Sequence, residues 1–115
     1  MAPFKNMPKC VELYLQNNAL TSMLGAEGLG ALKKLNLRHN NIAAIEEEGV
    51  PDQYPALEYL NLRTNKLPSM EHVHRLLQFP AIVDINVINN PVELGFSSMN
   101  IMICQALSKV ASSKL

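Results

Sequence analysis

Four eleven-residue segments, Cys10–Leu20, Leu32–Ile42, Leu57–Leu67 and Ile82–Val92, lie without gaps on one template, L-x-x-L-x-L-x-x-N-x-L. Its asparagines, Asn18, Asn40, Asn65 and Asn90, stand 22, 25 and 25 residues apart. Five constrained positions recurring four times are not an accident of composition. A unit of this length cannot bury its own apolar face, so the copies must stack and share one core. That excludes a fold built around a single unrepeated centre.

Within each segment the stretches Leu13-Tyr14-Leu15, Leu35-Asn36-Leu37, Leu60-Asn61-Leu62 and Ile85-Asn86-Val87 alternate with the period of a β-strand. Their aliphatic members are expected to point inward and the residue between them outward. Stacked copies then pair their strands in parallel, with the connecting segments returning on the opposite side. The reading is an α/β right-handed solenoid of four parallel strands on a concave side with helical or irregular convex returns. Its repeats are 10–31, 32–56, 57–81 and 82–95, forming a single domain over 1–115 with a C-terminal helix about 97–110.

The returns differ in character. Met23, Ala26, Leu29 and Leu32 recur every three residues, which predicts a short 3₁₀-like return. The second return carries Glu46-Glu47-Glu48, read as a solvated bulge with an acidic contact to a basic partner as the alternative. In the third, Ser69 is placed to cap a helix whose core side is Met70, Val73 and Leu77, ended by Pro80. From Phe96 onward, Phe96, Met99, Ile103, Leu107 and Val110 predict an amphipathic helix covering the open end of the last turn, with a partner helix as the alternative reading. Only nine residues, with prolines at 3 and 8, precede Cys10. The strand over 11–16 is therefore expected to be a bare edge, covered by upstream repeats or by another molecule.

Charge and composition narrow the function. Ten basic residues balance ten acidic ones, giving a net charge of +0. Binding to nucleic acid by bulk charge is thus not expected. No apolar run approaches the ~20 residues of a membrane span, and no basic-then-apolar leader opens the sequence, so neither membrane nor secretion is expected. Cys10 and Cys104 form no disulfide scaffold or metal motif; Cys10 occupies a leucine slot and reads as a buried thiol. His72 and His74, two apart on a helix, face different ways and cannot share a metal, and His39 reads as an outward residue at a strand edge. No phosphate loop, dinucleotide fingerprint or nucleophile elbow occurs. Catalytic residues, metals and cofactors are therefore all read as none.

The run Leu57-Glu-Tyr-Leu-Asn-Leu-Arg-Thr-Asn-Lys-Leu67 and the closing Asn89-Asn90-Pro91 resemble the short intracellular leucine-rich-repeat family. That family includes a phosphatase regulatory subunit, an axonemal dynein light chain, a spliceosomal protein and ciliary radial-spoke proteins. Residues 13–18, 35–40 and 59–63, with the helix before Phe79-Pro80, are most similar to the C-terminal repeats of the radial-spoke member. The likeness covers roughly residues 10–95 and departs after Pro91, where the family's Tyr-Arg and closing Leu-x-x-Leu-Asp strand are absent. It implies a structural ladder for Asn18, Asn40, Asn65 and Asn90, each amide bonding the backbone of neighbouring turns. It also implies longer relatives with upstream repeats, and a non-enzymatic scaffold that docks other proteins within a large assembly, with a regulatory or targeting subunit of a phosphatase-type enzyme, or a spliceosomal scaffold, as the alternative.

On such a scaffold the outward strand residues form columns. These are Glu12, Lys34, Tyr59 and Asp84; then Tyr14, Asn36, Asn61 and Asn86; then Gln16, Arg38, Arg63 and Ile88. Tyrosine and arginine are enriched at interface hot spots. Tyr14, Lys34, Asn36, Arg38, Tyr59, Asn61 and Arg63 are therefore taken as the partner-binding face. Arg38 and Arg63 lie one strand apart, about 4.8 Å between backbones, with no acid in their column. They call for an acidic partner, unless Glu12, Glu58 or Asp84 neutralises them. The family likeness points to an axonemal location. The final Ser113-Lys114-Leu115 matches a peroxisomal import tripeptide and keeps that alternative open.

Overall fold

The computed structural model describes residues 8–24, 28–46 and 49–92. Four short strands, β1 (Glu12–Tyr14), β2 (Lys34–Asn36), β3 (Tyr59–Asn61) and β4 (Asp84–Asn86), form one parallel sheet in chain order. The register does not slip: Leu13, Leu35, Leu60 and Ile85 stand in one row, as do Tyr14, Asn36, Asn61 and Asn86. Pairing continues one residue beyond each strand. The Leu15, Leu37 and Leu62 amides donate to the Asn36, Asn61 and Asn86 carbonyls at 2.8, 2.8 and 2.7 Å.

Register is held because a one-residue slip would turn every leucine to solvent. Leu35, Leu37, Leu60, Leu62, Ile85 and Val87 are buried, together with the framing Leu32, Ile42, Leu57, Leu67, Ile82 and Val92. In the first turn Cys10, Leu13, Leu15 and Leu20 are only half-buried and Val11 is 47% exposed, so β1 is an edge with a partly open core end. This corrects Cys10, which is a half-buried thiol and not a fully buried one. No described turn precedes it, and its Sγ instead donates to the Glu12 carbonyl at 3.4 Å.

The returns close the other side of the core. Met23, Leu29 and Leu32 are buried as the three-residue spacing predicts, while Ala26 lies outside the described residues. In the second return a single helical turn, α1 (Val50–Gln53), follows Gly49. Gly49 adopts φ +93°, and a Cβ there would come within 3.2 Å of Leu24 Cδ2, so glycine suits both the backbone and the space. Pro51 sits in the first turn of α1, where its missing N–H costs nothing. Tyr54 then enters the core. Its hydroxyl donates to the Met23 carbonyl at 2.8 Å, and its ring meets Phe79 edge-on at 5.9 Å and 74°. One side chain thereby ties three successive returns together.

Two expectations for the returns change. Glu46 is half-buried and not a solvated residue, because Ser22 of the preceding return donates to its Oε1 at 2.8 Å. Glu47 and Glu48 lie outside the described residues. In the third return α2 spans only Met70–Arg75 and tightens into a 3₁₀ turn over Leu76–Gln78. Three residues per turn aligns Val73, Leu76 and Phe79, all buried, whereas Leu77 is left half-buried at the margin. Ser69 holds the N-cap position in an extended conformation, but its side chain makes no cap bond.

Helix α2 also fastens the return before it. His72 Nδ1 accepts the Ile45 amide at 3.2 Å, and Arg75 donates to the Ile45 carbonyl at 3.0 Å and to Glu71 at 2.8 Å. The helix predicted about 97–110, Cys104 and the Ser113–Leu115 tripeptide lie outside the described residues.

Candidate partner-binding surface

The predicted asparagine ladder is present, and it has a direction. Asn40 Oδ1 accepts the Leu20 amide at 3.1 Å, and Asn40 Nδ2 donates to the Leu15 and Leu37 carbonyls at 3.0 Å each. Asn65 does the same with the Ile42 amide (3.0 Å) and the Leu37 and Leu62 carbonyls (2.9 and 3.1 Å). Asn90 repeats it with Leu67, Leu62 and Val87. Each side chain thus reaches back one turn with both of its polar ends. Asn18 has no described turn behind it and bonds only its own Leu15 and Gln16 carbonyls. From Asn40 onward the ladder saturates backbone groups that stacking would otherwise strand.

The outward columns follow from the strand pairing. Glu12, Lys34, Tyr59 and Asp84 are aligned in register, as are Tyr14, Asn36, Asn61 and Asn86. Tyr14 is 51% and Tyr59 44% exposed, large aromatic area offered to solvent on the first and third turns. Between β2, β3 and β4 the two columns line a shallow depression of about 280 Å³. Lys34 faces Glu12 at 3.9 Å, and Tyr14 donates to the same carboxylate at 3.2 Å. Glu12 is therefore engaged within its own end of the face.

The third column is different. Arg38 is exposed, Arg63 half-buried, and among the described residues neither pairs with a carboxylate. The acids that open the strands sit four residues upstream of the arginine column, roughly 13 Å away at the rise of an extended chain. Backbone bonds keep the arginines in step: Asn17 N–H donates to the Arg38 carbonyl at 3.0 Å and His39 N–H to the Arg63 carbonyl at 2.9 Å.

Asn36 and Asn61 have a second role that the columns alone did not reveal. Asn36 Oδ1 accepts the Arg38 amide and Asn61 Oδ1 the Arg63 amide, each at 3.0 Å; Asn86 does the same for Ile88 at 3.1 Å. Each closes a local turn that re-aims the chain as it leaves the strand. The oxygen is occupied, and among the described residues the amide nitrogen donates to none.

The repeat period does not declare the backbone conformation that closes each strand. Asn17, His39, Thr64 and Asn89, each directly before a ladder asparagine, all have φ near +60° (61, 61, 58 and 59°). Asparagine tolerates that conformation, and its presence at 17 and 89 was a usable signal; threonine, branched at Cβ, gave none. The row turns the backbone sharply out of the sheet and stands its side chains along one rim. His39 Nδ1 and Asn17 Oδ1 meet there at 3.2 Å. His39 is exposed, as predicted, but it belongs to this row of turns. His72 is tied to the backbone of Ile45, His74 is exposed, and among the described residues no group of three His, Cys, Asp or Glu could hold a metal.

No family model matches the chain, and no curated protein matches it. Among solved structures it is similar to a chain in the crystal structure of the Drosophila melanogaster SNF/U2A' complex, with 26% identity and a TM-score of 0.73. The match covers 84% of this chain and 55% of that one, so the sequence spans little more than half of its neighbour's length. With that likeness, the four stacked turns are a leucine-rich-repeat solenoid.

Proposed function

We propose that this leucine-rich-repeat solenoid is a non-enzymatic scaffold that docks a protein partner on its strand face. One observation carries the reading. Tyr14 and Tyr59 stand exposed on the strand rows, Arg38 and Arg63 follow two of the strands, and no described carboxylate pairs with the arginines; tyrosine and arginine dominate binding energy at interfaces. Asn36 lies beside Tyr14 and Lys34 beside Tyr59 in the strand rows, and Asn36 and Asn61 contribute free amide donors. A structural neighbour that is itself part of a protein complex supports protein partners.

The assembly is proposed from two directions. The repeat wording of residues 10–95 favours an axonemal, radial-spoke-type setting in the cilium. The likeness to a chain of the SNF/U2A' complex favours the second reading, a spliceosomal scaffold. Imaging the tagged chain in ciliated cells separates them: signal along the axoneme supports the first, nuclear signal the second, and peroxisomal signal sinks both. Co-purification with an Arg38→Glu/Arg63→Glu variant tests the face itself. Partners are expected to be lost while the far-ultraviolet circular dichroism is unchanged. Undiminished partner recovery by the folded variant overturns the strand-face assignment.

A further inference from the structure

Where the strands leave the sheet, the solenoid carries a groove of about 460 Å³ whose lining includes Asn17, His39, Asn41, Thr64 and Lys66. Among the described residues no carboxylate lines it. Arg38 and Arg63 are the chain neighbours of two of these residues, His39 and Thr64. The described acids lie elsewhere: Glu12, Glu58 and Asp84 where strands begin, and Glu46, Asp52 and Glu71 on the returns. A chain of zero net charge therefore has Lys66 in this groove and Arg38 and Arg63 at the positions just before two of its lining residues, and among the described residues none of the three pairs with a carboxylate.

The groove is also rich in donors. Asn17 Oδ1 is taken up by His39 Nδ1 at 3.2 Å, which leaves the Asn17 side-chain amide nitrogen free to donate. The Asn41 amide, the Thr64 hydroxyl and the Lys66 ammonium add further donors, and Lys66 is exposed. The left-handed backbone at Asn17, His39 and Thr64 sets the direction in which the chain leaves the sheet at each of these turns.

We infer that this rim is a docking strip for an acidic polypeptide segment, one whose carboxylates cross the second and third turns. The inference rests on the docking reading above and extends that surface over its edge. Carboxylate suits the site better than the phosphates of nucleic acid. Single-stranded nucleic acid needs aromatic platforms for its bases and a broadly basic surface, and here both tyrosines lie inside the strand face and the net charge is zero.

The test is a titration of the isotope-labelled full chain, followed by nuclear magnetic resonance. Three probes serve: a synthetic peptide of alternating glutamate and serine about eight residues long, its glutamine counterpart, and an oligouridylate of equal length. The glutamate peptide is expected to shift the amide signals of His39, Asn41, Thr64 and Lys66, and the glutamine peptide to shift none of them. Lys66→Glu should weaken binding about three- to fivefold, the scale of one exposed charge pair, and Lys33→Glu should leave it unchanged. Equal effects of the two variants, shifts confined to other faces, no binding of the glutamate peptide, or tighter binding of the oligouridylate each overturn the strip. A Lys66→Glu chain that keeps its cellular partners, while Arg38→Glu/Arg63→Glu loses them, removes this inference and leaves the strand-face scaffold standing.

Discussion

Asn65 and Leu37 are 28 residues apart and in different turns, yet Asn65 Nδ2 donates to the Leu37 carbonyl at 2.9 Å. The same side chain accepts the Ile42 amide at 3.0 Å and is 2% exposed. Stacking in this solenoid is thus not apolar contact alone. Each of the last three turns supplies a polar clip, Asn40, Asn65 or Asn90, to the turn before it.

Removing that clip should be costly in the interior and cheap at the edge. Asn65→Ala strands a buried amide and leaves carbonyls short of a donor, which should destabilise the fold by about 2–4 kcal/mol. Asn18→Ala, at an exposed position bonding only its own turn, should cost under about 1 kcal/mol. Urea unfolding of both variants measures the difference; equal losses would show that the backward reach carries no energy.

Thr64 offers the opposite effect. It holds φ 58° with a branched Cβ, whereas Asn17 and Asn89 occupy equivalent positions with a side chain suited to that region. Thr64→Asn should raise stability by about 0.5–1 kcal/mol through relief of backbone strain. A thermal melt displaced upward by a few degrees is the expected reading, and a downward displacement would mean that the threonine side chain contributes more than the strain removes.

Tyr54 links pH to stability. Burial raises its hydroxyl pKa well above the ordinary value of 10.0. Between the unfolded and folded values the native state keeps the proton that the unfolded chain gives up. The stability from this group is therefore complete below about pH 10 and declines as pH rises beyond it. Tyr54→Phe should flatten that alkaline decline, at a cost of about 1–2 kcal/mol at neutral pH for the bond lost to the Met23 carbonyl. Unfolding curves collected from pH 8 to 11.5 on both proteins provide the comparison.

The third return distinguishes two adjacent leucines. Leu76 is fully buried in the 3₁₀ turn, and Leu77 is half-buried at its margin. Leu76→Ala should cost about 2–5 kcal/mol and Leu77→Ala clearly less. A reversed order in denaturant melts would restore the continuous helical spacing read from Met70, Val73 and Leu77.

Much of the strand face was legible from residue order, and some was not. The columns Lys34–Tyr59 and Asn36–Asn61 came from counting along the template, because strand period and repeat length together fix which residues become neighbours. That Glu12 is taken up by Lys34 and Tyr14 and does not reach the arginines was not visible. It depends on side-chain reach across a face several turns wide.

The template by itself determined the stacked parallel strands, the inward leucines and isoleucines, and the ladder asparagines, since each follows from a periodicity read over a few neighbouring residues. Only the tertiary structure decided the left-handed row from Asn17 to Asn89, the choice of Leu76 over Leu77 and the hold of His72 and Arg75 on Ile45. It also placed Ser22 on Glu46. Those outcomes depend on groups 20 or more residues away becoming neighbours, or on a backbone turn that no single side chain declares. Local pattern selects the turns of the coil; what each turn presents to the next is settled when they stack.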